Sequence, residues 1–335
     1  MPENASPSLR VGIVGAGNQS RKHTAIFRLA PGVVWHGVYD VDTERARTMS
    51  AETGIQAFTY LEDLLHEVDI VYIATNTASH FPLAQMAIMA GKHVLIEKPA
   101  TENAEQTQRL INMAAEANVQ CMVAYSGRFN PAWTSVRYDV KRPLFIESHH
   151  LVQFNDNEIS SNVVNDLMQH DLDIILPLVN SEIKRISATG VKVAHDTPDI
   201  ANARLEFANG CVVNLTASRI SLKPLWKMRI FEPNAYHYLD FVGQKADFVS
   251  LKEQDQLEEI GSLEHGARNI TLHQNIRLRL ESKPQQAVEP MSILWGDFID
   301  AVRNDKHPRV TLPDVYKVME TAERIIKKIN SLGDE

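Results

Sequence analysis

Cysteine is scarce in this chain. Of 335 residues only Cys121 and Cys211 carry a thiol, each within an apolar run. Two such residues build neither a disulfide framework nor a metal-ligand spacing, so no metal is expected and both thiols are expected free and reduced. Long apolar runs are missing too: none approaches the roughly 20 residues that cross a bilayer. No basic segment followed by an apolar one opens the chain. Neither a membrane partner nor a signal peptide is therefore expected, and the chain reads as cytoplasmic. Positive charge is in deficit, with 34 Lys+Arg against 42 Asp+Glu and a formal net charge of -8. That balance excludes general nucleic-acid binding, which needs a basic face against phosphates. It leaves room for a local cationic pocket. Internal repeats and low-complexity tracts are absent.

What is present is an ordinary globular composition, 44% hydrophobic and 23% charged, in a chain long enough for two domains. Residues 10–125 alternate short β-rich runs with helical patterns. Strands are expected at 11–14, 33–39, 69–74, 93–96 and 119–125, with helices to about 29 and at 42–53, 60–67, 79–90 and 103–117. Strands apolar throughout and separated by helices indicate a parallel sheet covered on both faces. The expectation for residues 1–127 is α/β, a Rossmann-type doubly wound parallel sheet. From Arg128 the texture changes. A helical pattern at 163–179 precedes strands at 183–193, 200–207, 211–219, 227–231, 236–242, 245–251 and 269–280. Asn209-Gly210 is a hairpin signal between two of them. Successive strands without intervening helices make residues 128–335 an α+β domain on a large, mostly antiparallel sheet. The polar stretch 253–267 reads as a mobile loop, and helical patterns at 291–303 and 312–329 close the chain.

Several positions carry chemistry. Gly15-Ala16-Gly17-Asn18 follows the first strand, where two glycines let the backbone turn tightly and approach a pyrophosphate at a helix amino terminus. The third glycine of that fingerprint is absent, with the small Ser20 in its place. Asp40 ends the second strand, where a carboxylate can accept from the adenosine ribose hydroxyls; the following Val41-Asp42 offers no cation for a 2′-phosphate, which favours NAD over NADP. The other reading of Asp40, as a helix cap, is a role Asp42 or Thr43 can fill. Thr75 and Asn76 follow a buried strand and can contact ribose and nicotinamide; His80 either joins them or only starts a helix. Glu97-Lys98-Pro99 ends the apolar run 93–96. A lysine at the carboxyl end of a parallel strand faces the ligand crevice of such sheets and can hold or move a proton on a substrate hydroxyl. Asp166 and His170 lie four apart on a helical pattern and share one face. A carboxylate beside an imidazole suits proton removal from an alcohol, although neighbouring Asp171 and Asp173 also fit a plain solvated face. Arg128 and Asn130 begin the second domain, as cofactor and substrate contacts or as hinge caps.

Together these positions resemble the glucose–fructose oxidoreductase, inositol dehydrogenase and MocA family over nearly the whole chain. The resemblance rests on Gly15-x-Gly17, Ile73-Ala74-Thr75-Asn76, Glu97-Lys98-Pro99, Asp166-x-x-x-His170 and Glu289-Pro290. It implies an NAD-dependent oxidoreductase acting on a sugar or cyclitol alcohol. Lys98 and His170 would stand beside the reacting hydroxyl, with Asp166 as partner, and Glu97 and Lys98 would also meet the cofactor. It further implies a homodimer or homotetramer through the second-domain sheet. Arg128-Phe129-Asn130-Pro131-Ala132, His170-Asp171-x-Asp173 and Ser218-Arg219-Ile220-Ser221 resemble members that oxidise the 3-hydroxyl of UDP-N-acetylglucosamine. On that reading Arg219, Lys223 and Lys227 are candidates to face the diphosphate; the alternative is that they solvate the sheet. A free sugar or cyclitol is the rival substrate, and an NAD(H)-sensing regulator without turnover is the rival function.

Overall fold

A computed structural model describes residues 8–27, 32–154, 162–253, 268–273, 276–283 and 288–332. The chain separates into two compact units, Met1–Ser126 with Met291–Glu320, and Gly127–Pro290 with Thr321–Glu335.

The first unit is built on six parallel strands, β1 (Leu9–Val14), β2 (Val33–Tyr39), β3 (Gln56–Phe58), β4 (Ile70–Ile73), β5 (His93–Ile96) and β6 (Cys121–Val123). Their order is β3-β2-β1-β4-β5-β6, the doubly wound arrangement whose reversal point lies between β1 and β4. Helices α1 (Asn18–Phe27), α2 (Thr43–Thr53), α3 (Leu61–Glu67), α4 (Thr77–Met89) and α5 (Ala104–Ala117) alternate with the strands. All four residues of β4 are buried, as expected of a strand covered on both faces. Local chemistry sets the helix ends. Asp42 and Asn103 accept from backbone N–H groups of the first turns of α2 and α5, and Gly54 and Asn118 close those helices in the left-handed region. The short β3 was not expected from the sequence.

The second unit carries nine strands: β7 (Phe145–Gln153), β8 (Ile183–Val191), β9 (Ile200–Phe207), β10 (Val212–Ser221), β11 (Leu225–Glu232), β12 (Ala235–Asp240), β13 (Lys245–Glu253), β14 (Arg268–His273) and β15 (Ile276–Lys283). Their order is β14-β15-β13-β12-β11-β7-β10-β9-β8. Only β7 and β10 pair in parallel; the other neighbours are antiparallel. The sequence reading misses β7 altogether, although it sits inside the sheet, and it merges β14 and β15 into one strand. Gly210 adopts φ +88 in the β9–β10 hairpin, as Asn209-Gly210 suggested. Helices α6 (Pro131–Thr134) and α7 (Gln169–Val179) belong to this unit, and α7 is preceded by a π-helical turn over Val164–Met168. A wide turn of this kind, in place of the continuous α-helix expected over 163–179, is common at functional sites. The loop expected at 253–267 lies, past Glu253, outside the described residues.

Helices α8 (Pro290–Arg303) and α9 (Leu312–Leu332) end the chain. The sequence assigned both to the second domain, yet residues 291–320 belong to the first unit. Trp295 of α8 packs edge-on against Trp35 of β2 and Tyr72 of β4, at 5.2 and 5.5 Å between ring centres. Aromatic pairs of this geometry each add about 0.5–1.5 kcal/mol beyond their buried area. No helix among the described residues is long and apolar enough to cross a membrane. Both cysteines are free and buried, and burial pushes the Cys121 thiol up to about 12.

Candidate functional site

In the first unit the sequence makes a cradle at the carboxyl end of β1. Gly15 sits at φ +102, and a Cβ there would come within 2.6 Å of the Ala74 carbonyl oxygen. Only glycine fits so close a passage. Nothing lies within 4 Å of a Cβ built on Gly17, which leaves open space over the turn. Ser20, in place of the third glycine, is fully buried and donates to the Gly17 carbonyl at 2.9 Å. Its small side chain closes the turn. Asn18 starts α1 and is exposed, and no acidic side chain occupies the first turn of that helix. Asp40 accepts from Ala16 N–H at 2.7 Å and from Asp42 N–H at 2.9 Å. It ties the end of β2 to the glycine turn, while Asp42 takes the capping role. These features fit a dinucleotide: an anion over free N–H groups at a helix start, and a carboxylate at the ribose position. Bound NAD supplies a hydride acceptor there.

Beyond β4 and β5 the polar residues divide into those that present and those that hold. Thr75 and Lys98 are half-buried. Asn76 caps α4, accepting from the Ser79 N–H and hydroxyl at 3.2 and 3.1 Å. His80 is corrected from cofactor contact to clamp. It is only 1% exposed, with one ring nitrogen 2.8 Å from the Pro99 carbonyl and the other 3.2 Å from that of Thr75. Burial lowers its pKa against the pull of those carbonyls, so the neutral ring joins the Lys98–Pro99 turn to the end of β4. Glu97 accepts from the Tyr72 hydroxyl at 2.6 Å, and His23 of α1 meets the same hydroxyl. Burial, then the charge of Glu97, holds the Tyr72 phenol well above its ordinary value, so it stays a donor. The chain His23–Tyr72–Glu97 thus fixes the carboxylate next to Lys98.

In the second unit the π-helical turn carries Asp166 and leads into His170, both half-buried. Asp171 and Asp173, read from sequence as a solvated face, are instead buried. Arg128 donates through Nε to the Asp173 carboxylate at 2.9 Å and to its carbonyl at 3.0 Å. Asn130 caps α6 with its side-chain oxygen and donates to the Phe241 carbonyl at 3.0 Å. Both are corrected from ligand contacts to structural anchors of the second unit's first residues, because burial without these partners would cost several kcal/mol. Sequence reasoning missed His150 and Trp226, whose rings stack at 4.3 Å and 5°. Phe241 covers the other face of Trp226 at 4.2 Å. His170 stands at 5.8 Å from each of His150 and Trp226, steeply inclined to both. The one signal for them is compositional, a pair of adjacent histidines at 149 and 150.

The cations proposed for a diphosphate fare differently. Arg219 is 5% exposed and donates to Asp199 at 2.8 Å and to Thr197 at 2.7 Å. Burial alone would raise the Asp199 carboxyl; the Ala194 N–H, the His195 ring, the Val193 N–H and Arg219 outweigh it and hold the carboxyl well below its usual range. Arg219 is therefore corrected to the partner of a buried carboxylate. Lys227 lies over the Tyr238 ring, 4.0 Å from Asp240, and Lys223 is exposed. Among the described residues no group of His, Cys, Asp and Glu is disposed to hold a metal ion.

Two family models match. The oxidoreductase family with an NAD-binding Rossmann fold covers residues 9–125, and the GFO/IDH/MocA C-terminal domain covers residues 130–234. The UDP-N-acetylglucosamine 3-dehydrogenase of Acidithiobacillus ferrooxidans is 38% identical over 239 residues, 70% of this chain and 74% of its own. Its crystal structure superposes with a TM-score of 0.87 at 29% identity, covering 97% of this chain and 99% of that one. Inositol 2-dehydrogenase of Corynebacterium glutamicum is 28% identical over 229 residues, 63% of this chain and 67% of that one. Levoglucosan dehydrogenase, solved with NADH and levoglucosan, shares the fold at 17% identity with a TM-score of 0.82, covering 97% and 98% of the two chains.

Proposed function

Because this chain belongs to the GFO/IDH/MocA family of NAD-binding oxidoreductases, we propose that it is a sugar dehydrogenase, with the 3-hydroxyl of UDP-N-acetylglucosamine as the alcohol it oxidises. The likeness to the Acidithiobacillus ferrooxidans enzyme, 38% identical in sequence, carries that choice. Lys98 and His170 are the residues proposed to hold and remove the hydroxyl proton, one as a cation and the other as a base. Asp166, one turn before His170, orients the ring or holds a neighbouring hydroxyl. Gly15, Gly17, Asn18, Asp40, Thr75 and Asn76 are proposed to bind the dinucleotide. Glu97, fixed by Tyr72, supports its nicotinamide end. With Arg219 committed to Asp199, Lys223 remains the proposed diphosphate contact. Assembly as a homodimer or homotetramer through the second-domain sheet is also proposed.

A free sugar or cyclitol is the second reading. It is favoured by the same removal of Arg219 from the set of available cations and by the likeness to inositol 2-dehydrogenase. NADH formation measured against a panel of UDP-sugars, free hexoses and inositols separates the two. Turnover confined to UDP-sugars supports the first reading; turnover confined to the free polyols rejects it.

A further inference from the structure

The cluster around Asp171 in the second unit has a chemistry that the proposed acid–base groups do not by themselves require. Asp171 is 1% exposed. One carboxylate oxygen accepts from the Ser148 hydroxyl at 2.6 Å and from the Trp226 Nε1–H at 2.8 Å. The other lies 3.6 Å from Nδ1 of His150. Two neutral donors could be satisfied by an amide, which would spare the cost of burying a charge. A carboxylate is worth that cost where it faces an imidazole, and His150 is such a group.

We propose that Asp171 is a positioning residue for His170, acting through His150 and Trp226; this rests on the proposed role of His170. The indole cannot turn. His150 stacks on one face at 4.3 Å and Phe241 on the other at 4.2 Å, while a Cβ on Gly127 would come within 2.8 Å of its Cη2. His170 stands against this slab, 5.8 Å from both rings and inclined at 57° and 61°. Asp171 is also the next residue in the chain, so anchoring its side chain fixes the rotation of the turn from which His170 projects. A group that must meet a proton within hydrogen-bond reach gains directly from such constraint.

The test uses Asp171→Asn, which keeps shape and an oxygen acceptor for Ser148 and Trp226 but removes the charge. Two readouts are taken on the full chain. In protein labelled with 15N-histidine, with signals assigned through His150→Gln and His170→Gln, the His170 ring resonances should shift and broaden in Asp171→Asn. In NADH formation from UDP-N-acetylglucosamine, kcat should fall roughly 10- to 100-fold, the scale of a misoriented catalytic group, with KM for NAD unchanged. In a His170→Gln background the same substitution should have no further effect. Unchanged His170 resonances, or an undiminished loss of rate in the His170→Gln background, would overturn the proposal. Wild-type turnover by His170→Gln would instead reject the role given to His170, and the spectra alone would then decide whether Asp171 positions it. If Asp171→Asn does not fold, Trp226→Phe, which keeps a ring but removes the Nε1–H, must shift the same His170 resonances, and its failure to do so counts against the proposal.

Discussion

Replacing Arg219 by alanine discriminates sharply between a substrate cation and a structural one. The guanidinium makes a charge-assisted bond to Asp199 at 2.8 Å and a second to the Thr197 hydroxyl at 2.7 Å. A bond to a charged group contributes about 1.5–3 kcal/mol, and a neutral one about 1. The loss does not reach the ~5 kcal/mol upper bound for orphaning a buried charge, because the Val193, Ala194 and His195 N–H groups still hold Asp199. A destabilisation of about 3 kcal/mol follows. If the second unit melts on its own, that lowers its Tm by roughly 6–12 °C. Arg219→Lys keeps the charge but cannot span both partners, so its loss should be about half. Thermal and guanidinium unfolding followed by circular dichroism measure both variants, and KM for the UDP-sugar is taken well below the transition. An Arg219→Ala protein that melts like wild type while its KM rises tenfold would refute this reasoning and return the guanidinium to the diphosphate.

Lys98→Met should leave the fold and NADH binding intact and lower kcat by roughly 10²-fold, the scale of a lost acid–base group; turnover within a few-fold of wild type would reduce Lys98 to a turn residue. Wild type should prefer NAD over NADP in kcat/KM, and Asp40→Ser with Val41→Arg should reverse the order. Because Asp40 also holds the Ala16 N–H, the reversal should come with a weaker overall affinity for either cofactor; equal use of both cofactors by wild type contradicts the assignment. Asp199 has its carboxyl held below the ordinary value in the folded chain. Its contribution is present above the unfolded carboxyl pKa of about 3.9 and lost as pH falls from there through the folded value. Acid unfolding curves should therefore steepen below about pH 4 in wild type and flatten in Asp199→Asn.

The first unit was legible in the sequence because its signals are local. Each strand is a short apolar run, each helix begins beside its own cap, as Asp42 and Asn103 do, and the glycine turn is read directly from Gly15 and Gly17. What escaped depends on distant partners. β7 carries Glu147, Ser148, His149 and His150, and becomes a strand by pairing with β10 and β11 rather than by its own periodicity. Asp171 looked solvated until Trp226, 55 positions away, covered it. Arg219 looked like a phosphate ligand because Asp199 lies 20 positions before it. The return of residues 291–320 to the first unit depends on Trp295 meeting Trp35 and Tyr72, aromatic contacts that no window of sequence contains.

The central claim is removal of hydride from the sugar C3 carbon. Incubation of the protein with NAD and UDP-N-acetylglucosamine deuterated at C3, followed by mass spectrometry of the nicotinamide, tests it most directly. The account predicts singly deuterated NADH, a 3-keto UDP-sugar and a primary isotope effect where hydride transfer limits the rate. Unlabelled NADH, or NADH formed only from free sugars or inositols, would contradict it.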